Sequence, residues 1–563
     1  MIVYLFPALT IFVASLLWAL CYPPFPLGPL AFAVLAPAFL ATTILTPGRA
    51  FRAWFLAGLA YNTVMYWWIW NVMKVGPAFV VGGGLVVLVA FLSLFNGLLG
   101  LGFARAWRLP PGLRRTTLLC GYPLAWAGLE AFRAAGEMSF PWNNLAYTLG
   151  HHPVLFQTVS WWGVYGLSTL ILDANLLLML AFLALFPYAK GPSGKHSNSV
   201  LSTKAFSIPS LLFVAVPLLL GVTGTRMLHQ ANDQNAPRLD ISMVQPSIPQ
   251  TKKWDEGYFA EVIAKTFRTM LGHASGMQIE SLGGPSPVRG SDLILLPETA
   301  VPDFLRTRDD LMDSLQAVAT NANAPLVIGS LDYVVDRRPW SEYRFYNAAF
   351  LFTPGPQKTM ATGGNPHLVQ YNKMRLVPFS EKLPFDGVFP VINYVNLGEG
   401  DFSAGDGHPI WGQGDLRWAP SICYEVIYPS FAREARLAGA RLLVNITNDG
   451  WFGRSNGPYQ HANIARFRAA ENGMPVARAA NNGVSVFYDA WGRDLGHTAL
   501  MDSTVLRRAV PLPNRHTFYT RAGRVLDVLF MGVLAGWVLL ALLPSRSLRR
   551  QIRMGEATPA GVH

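Results

Sequence analysis

Ser421-Ile-Cys-Tyr-Glu-Val-Ile-Tyr-Pro429 reads as a strand that runs into a tight turn and presents Cys423 just before a helix. A buried thiol is often no more than a small hydrophobe. Here Glu425 lies two residues on, and an ionisable group is costly to desolvate beside an inert thiol. Cys21 and Cys120 fall within or at the edge of apolar runs, so Cys423 has no soluble disulfide partner and none of the several Cys and His ligands of a zinc site. That leaves nucleophilic chemistry. A thiol needs a base to become a thiolate, and acyl transfer also needs a cation or donor where the oxyanion develops. Leu295-Leu-Pro-Glu-Thr299 places Glu298 just past an apolar strand, and Tyr371-Asn-Lys-Met-Arg-Leu-Val-Pro-Phe-Ser-Glu381 places Lys373 and Glu381 in an extended segment. Singly each reads as a solvated surface charge. With Cys423 they form a workable set, Glu298 as base and Lys373 as oxyanion donor. His461 offers a Cys-His pair as a variant, without an accompanying motif.

Elements able to position these residues follow from the periodicity of the middle of the chain. Short apolar, β-branched runs recur at 239–244, 293–296, 326–328, 348–352, 442–446 and 484–488, with helical patterns at 255–272, 308–322, 429–439 and 459–472. Alternating strands and helices predict a layered α/β domain over 230–515. Gly/Pro/Ser-rich stretches at 282–290 and 354–365 read as surface loops. No repeat, phosphate-binding Gly-rich loop or metal-ligand spacing occurs, so neither cofactor nor metal is expected.

The flanks are a different material. Of the 563 residues 51% are apolar, concentrated in the first 230 and the last 45. Seven stretches, at 3–21, 27–46, 53–73, 78–104, 116–133, 155–187 and 208–228, and an eighth at 524–544, approach the roughly 20 residues that cross a bilayer. The first lacks a basic n-region and an Ala-x-Ala cleavage site, so it reads as a spanning helix and not as a signal peptide. The expected division is a membrane domain over 1–229, a catalytic domain over 230–515, and a final helix with a basic tail over 516–563. Net charge of +12 does not point to nucleic acid, because the cations cluster in short loops between apolar runs. Thirteen Lys and Arg lie on one side of the expected topology against Lys74 and Arg133 on the other. Both termini are then cytoplasmic and the domain between the last two helices lies outside. Tyr61–Trp70 and Ser139–Asn144 fit an interfacial aromatic belt or a lipid-facing vestibule. A transporter would carry ionisable groups in its bundle, where Glu130 and Asp173 are the main candidates.

Pro-Glu-Thr at 297–299, Asn-Lys-Met-Arg-Leu-Val-Pro-Phe at 372–379, Cys-Tyr-Glu at 423–425 and Asn-Asp-Gly-Trp-Phe-Gly at 448–453 together resemble the Glu-Lys-Cys motifs of the nitrilase, or carbon-nitrogen hydrolase, superfamily. With eight membrane helices and the domain inserted before the last, the chain resembles one branch of it, the apolipoprotein N-acyltransferases. Gln245–Gln250, Trp254, Gly163–Gly166 and Phe140–Trp142 belong to the likeness; Ser380 and Lys382, which flank Glu381, depart from the Gly and Tyr associated with that family. The resemblance implies a nitrilase-like α-β-β-α sandwich on a membrane bundle, in a bacterial inner membrane, with the catalytic domain periplasmic. It further implies that Cys423 takes the sn-1 acyl chain of a phospholipid as a thioester and passes it to the amino-terminal group of a diacylglyceryl-cysteine apolipoprotein. Glu298 would be the base, Lys373 the oxyanion stabiliser and Glu381 a supporting carboxylate; Tyr424 and Glu425 would shape the pocket, Trp254 would lie near the lipid entry, and the protein would act as a monomer. A membrane-tethered amidase with the same triad and water as acceptor is the alternative.

Overall fold

The computed structural model describes residues 2–74, 78–185, 203–231, 233, 235–272, 286–338, 341–355, 369–385 and 402–543. The expected loops at 282–290 and 354–365 lie partly, and the cations of the basic tail wholly, outside these residues.

Among the described residues twelve strands build the half that follows residue 230: β1 (Arg238–Gln245), β2 (Leu293–Leu295), β3 (Val301–Phe304), β4 (Leu326–Arg338), β5 (Ser341–Phe352), β6 (Val369–Asn372), β7 (Trp418–Ile422), β8 (Leu442–Thr447), β9 (Val476–Ala480), β10 (Val486–Tyr488), β11 (Asp494–His497) and β12 (Thr504–Pro511). One sheet runs in the order β12-β1-β2-β4-β5-β6, with β3 beside β4; the other runs β11-β10-β9-β8-β7. Side-chain alternation assigns the faces of the first sheet. Ile241, Met243, Leu293, Leu295, Val327, Ala349 and Leu351 join a single core with Ile422, Val444, Ile446 and Val476 of the second sheet. Their neighbours Ile294, Leu296, Ile328, Ala348, Phe350 and Phe352 pack instead against helices Phe259–Leu271 and Asp309–Ala322. Helices Pro429–Leu437 and Gly457–Asn472 cover the far face of the second sheet, completing an α-β-β-α sandwich.

Helix Gly457–Asn472 lies between that sheet and the membrane bundle; Gln460, His461, Asn463, Arg468, Glu471 and Asn472 are buried, Arg466 is half-buried and Tyr459 alone is exposed. An amphipathic pattern cannot arise on a helix with no wet face.

Four helices are long and apolar enough to cross a bilayer among the described residues: Val81–Trp107, Val159–Leu185, Leu211–His229 and Phe518–Leu542. The other expected spans are shorter or broken. Residues 28–44 split into a 3-10 turn, Gly28–Phe32, and a nine-residue helix, Ala36–Ile44, in a stretch rich in proline. The run 113–132 divides at Gly121. Helix Pro47–Tyr66 starts with Arg49 and Arg52 and continues as the 3-10 helix Trp67–Lys74. Irregular backbone in a bundle must be satisfied by protein. Asn175 does this for the first break: its Oδ1 accepts from Leu35 N and Ala36 N at 2.8 and 3.1 Å, and its Nδ2 donates to Ala31 O at 2.7 Å. Exposed Leu5, Phe6, Phe79, Val86, Leu211, Leu219, Val525 and Leu539 give the bundle an apolar exterior.

The segment after the helix Tyr122–Phe132 joins the halves. Glu130, buried in the bundle, accepts from Leu145 N at 2.8 Å; Ser139 O accepts from Tyr424 OH at 2.7 Å; Trp142 Nε1 donates to Gln460 Oε1 at 2.8 Å.

Candidate active site

Three strand ends converge. Strand β2 is parallel to β1 and β4 and gives way to Pro297, which has no N–H to continue a ladder. Glu298 follows, and Thr299 turns the chain away at φ +46°. The 297–299 backbone lies so close to β4 that a Cβ on Gly329 would stand 2.5 Å from Glu298 Cα, so this position needs glycine. Strand β6 is antiparallel to β5, and the pairing carries one residue on, with Lys373 N donating to Asn347 O at 2.9 Å. Strand β7 is parallel to β8 and ends at Ile422; Cys423 then adopts φ +50°, a left-handed conformation that a non-glycine residue holds only when its surroundings enforce it.

Glu298 and Lys373 are buried and paired, Lys373 Nζ to Glu298 Oε1 at 3.3 Å, and Lys373 Nζ donates to Glu381 Oε1 at 2.7 Å. Asn347 Nδ2 donates to both carboxylates, at 2.8 and 3.1 Å. Glu298 Oε2 accepts from Asn448 N at 2.8 Å, Glu298 O accepts from Lys253 Nζ at 3.0 Å, and Val377 N donates to Glu381 Oε2 at 2.9 Å. Burial pushes the Glu298 carboxyl up, but Lys373, Asn347, Lys253 and Asn448 outweigh it and hold the group below the usual carboxylate range. Lys373 goes the opposite way: burial lowers it, but Glu381 and Glu298 more than compensate and hold the ammonium above its usual range. Cys423 keeps partial exposure and feels both groups. Burial, then the Glu298 charge, push its thiol well up, while Lys373 pulls it down. The resting site is therefore a thiol beside a carboxylate-ammonium pair. A reaction that moves the thiol proton to Glu298 must draw on a bound electrophile, with Lys373 facing the negative charge that appears.

Of the other sequence candidates, Glu425 is fully buried and locks the Cys423 turn to the lysine loop. Its Oε1 accepts from Tyr371 OH and Met374 N, each at 2.6 Å, and its Oε2 from Ile422 N at 2.6 Å. Burial raises its carboxyl despite these donors. Tyr424 turns away to the bundle, where its ring stacks on Phe140 at 6.2 Å. Trp254 ends the short helix Gln250–Lys253 and is half-buried; its neighbour Lys253, not its own ring, reaches the Glu298 backbone. His461 touches the carbonyl of Cys423 and not the thiol, which removes it as the base of a Cys-His pair. Asn347 and Lys253 escaped the sequence reading. A polar residue amid the apolar run of β5 was the available signal for the first, and nothing in the pattern marks the second. Among the described residues no cluster of His, Cys, Asp or Glu is suited to a metal.

The carbon-nitrogen hydrolase model matches residues 241–515, and a model described as the apolipoprotein N-acyltransferase N-terminal domain matches 14–192. Proteins named apolipoprotein N-acyltransferase are similar along nearly the whole chain. That of Geobacter metallireducens is 33% identical over 95% of this chain and 94% of its own length, and that of Chlorobaculum tepidum 30% identical over 95% and 96%. A solved amidase of the nitrilase superfamily from Nesterenkonia AN1 aligns at 17% identity with 52% of this chain and 97% of its own, at a TM-score of 0.32. The soluble half is a nitrilase-like α/β domain, and with its amino-terminal membrane half the chain belongs to the apolipoprotein N-acyltransferase family.

Proposed function

We propose that this protein N-acylates lipoproteins in two steps through a thioester on Cys423, with a membrane phospholipid as donor. The whole-chain likeness carries the reaction class. The observation that supports the residue roles is the meeting of Cys423, on its left-handed turn, with the buried Glu298-Lys373-Glu381 cluster. In the first step Sγ attacks the sn-1 ester carbonyl of the phospholipid as Glu298 takes the thiol proton. Lys373 stabilises the oxyanion, and Glu298 returns the proton to the departing lysophospholipid oxygen. In the second, the α-amino group of a diacylglyceryl-cysteine lipoprotein attacks the thioester, its proton passes through Glu298, and the thiol is restored. Glu381 and Asn347 hold the Glu298-Lys373 pair in register. A domain anchored among its bilayer-bound substrates replaces a three-dimensional search with a local one.

The same proposal includes the division at 229 and 515, a catalytic domain outside the cytoplasm, both termini inside, and eight crossings, four of them by short or interrupted segments. The positive-inside asymmetry supports this arrangement. The test is an intact mass of the purified protein after mixing with phospholipid alone. An acyl adduct on Cys423 that disappears on adding a diacylglyceryl-cysteine peptide, with acylated peptide as product, is the expected result. Free fatty acid in its place would assign a hydrolase.

A further inference from the structure

Behind the nucleophile lies a buried polar assembly that neither half-reaction calls on. His461, 1% exposed, directs Nε2 to the carbonyl of Cys423 at 3.2 Å, and Asn445 Nδ2 reaches the same oxygen at 3.4 Å. On its other edge His461 Nδ1 lies 3.0 Å from both Asp449 Oδ1 and Arg478 Nη2. Arg478 Nη2 donates to both Asp449 oxygens, at 2.9 and 2.8 Å, and Nη1 to Asn445 Oδ1 at 2.6 Å. Trp142, from the bundle, packs on the imidazole with ring centres 5.1 Å apart, and Phe452 at 6.0 Å.

The protons can be placed from this pattern. A carbonyl only accepts, so Nε2 carries hydrogen. Burial, then the Arg478 charge, push the imidazolium below its usual range, which leaves a neutral ring whose Nδ1 accepts from Arg478. Burial opposes ionisation of Asp449, but the Arg478 charge outweighs it and holds the carboxyl at about 2, so the carboxylate that anchors Arg478 is permanent. The ring is thus clamped in one tautomer, at the one backbone oxygen whose orientation fixes the peptide after Cys423.

We propose that His461 is a positioning residue: its Nε2–H, backed by Arg478 and Asp449, holds Cys423 in the left-handed conformation from which Sγ meets the lipid ester. The proposal rests on Cys423 being the nucleophile and goes beyond it.

Two rates on Cys423 separate positioning from mere structure. Thioester formation needs the sulfur aimed at a bound ester, where a displacement near 1 Å costs about 100-fold. Alkylation by iodoacetamide, a small reagent that approaches freely, depends on the thiolate and not on its aim. In His461→Phe, which keeps ring volume and loses the donor, thioester formation should fall about 100-fold while alkylation stays within about twofold. His461→Gln, whose amide nitrogen sits at a similar reach, should recover most of the loss. Wild-type thioester formation in His461→Phe overturns the proposal. So does alkylation falling as far as acylation in a folded protein, which would mean that the ring acts on the thiol itself, and so does His461→Gln behaving as His461→Phe. If His461→Phe does not fold, Asn445→Leu removes the second donor to the same carbonyl and is read by the same two rates. The adduct on wild-type Cys423 tests the site reading independently.

Discussion

Replacing Lys373 with Met removes more than a donor. Its ammonium lies 3.3 Å from Glu298 and 2.7 Å from Glu381 in a site where the three side chains are 1%, 6% and 13% exposed. Both carboxylates also accept from the one Asn347 nitrogen, at 2.8 and 3.1 Å. Their Oε1 atoms therefore cannot be more than about 6 Å apart, and at that distance two unit charges repel by about 3 kcal/mol at an effective dielectric of about 20. That is about two pKa units, so one carboxyl, the more buried Glu298 in preference, takes up a proton. The variant should lose about 100- to 1000-fold in thioester formation from the missing oxyanion donor, and more where Glu298 is protonated. A raised pKa means that the base is free only above it, so the residual rate should climb with pH where the wild-type rate is flat. The double variant Lys373→Met with Glu381→Gln removes the repulsion and should recover stability and the flat profile, yet not the rate. The assay is adduct mass on Cys423 against time, with bound phospholipid measured separately. Normal thioester accumulation in Lys373→Met, with failure only on adding the lipoprotein acceptor, would refute the placing of Lys373 in the first half-reaction.

Cys423→Ser should fold and bind phospholipid but form no acyl adduct, because a hydroxyl beside an ionised Glu298 is a far weaker nucleophile than a thiol; turnover at the wild-type rate would end the covalent mechanism. The Asp449 carboxyl, at about 2 when folded and near 3.8 when not, contributes about 2 kcal/mol of stability above pH 4 that is lost as pH falls through 2. Thermal unfolding of the detergent-solubilised protein should show that acid loss, and Asp449→Asn, already destabilised at pH 7, should lack it. Reporter fusions at residue 232 and at the carboxyl terminus should report opposite sides of the membrane; the same side for both would mean that the spans have been miscounted by an odd number.

The meeting of Glu298, Lys373 and Cys423 was legible because each follows a strand, and strands with their terminal motifs leave a local signature: Leu293–Leu295 before Glu298, Trp418–Ile422 before Cys423. Strands β3, β9, β11 and β12 were not legible. In β12 the first four residues are half-buried, Arg508 and Ala509 are exposed and only the last two are buried, so no apolar alternation marks it as an edge strand paired to β1. The membrane half was read from composition, which cannot see that Asn175 repairs the break near Leu35 or that a span divides at Gly121. The assembly behind Cys423 was hidden for a related reason. Asn445, Asp449, His461 and Arg478 come from four elements, and only the folded sheet and helix bring them to one carbonyl.

Strands β1 and β12 open and close the catalytic domain as antiparallel neighbours, with Arg238 opposite Pro511 and Leu512 N donating to Pro237 O at 2.8 Å. Some 270 residues thus enter and leave through a gate one strand pair wide, about 5 Å across. For the bundle, the insertion is equivalent to a short hairpin between its last two long helices. Once the domain has folded, the entropy of closing so long a loop no longer falls on helix Phe518–Leu542 when it docks. That helix follows the domain in the chain, yet it packs against Tyr122–Phe132 and Val159–Leu185, and Arg433 reaches Asp527 on it at 2.8 Å. A domain that has already folded therefore lowers the entropic cost of docking that helix onto the membrane half.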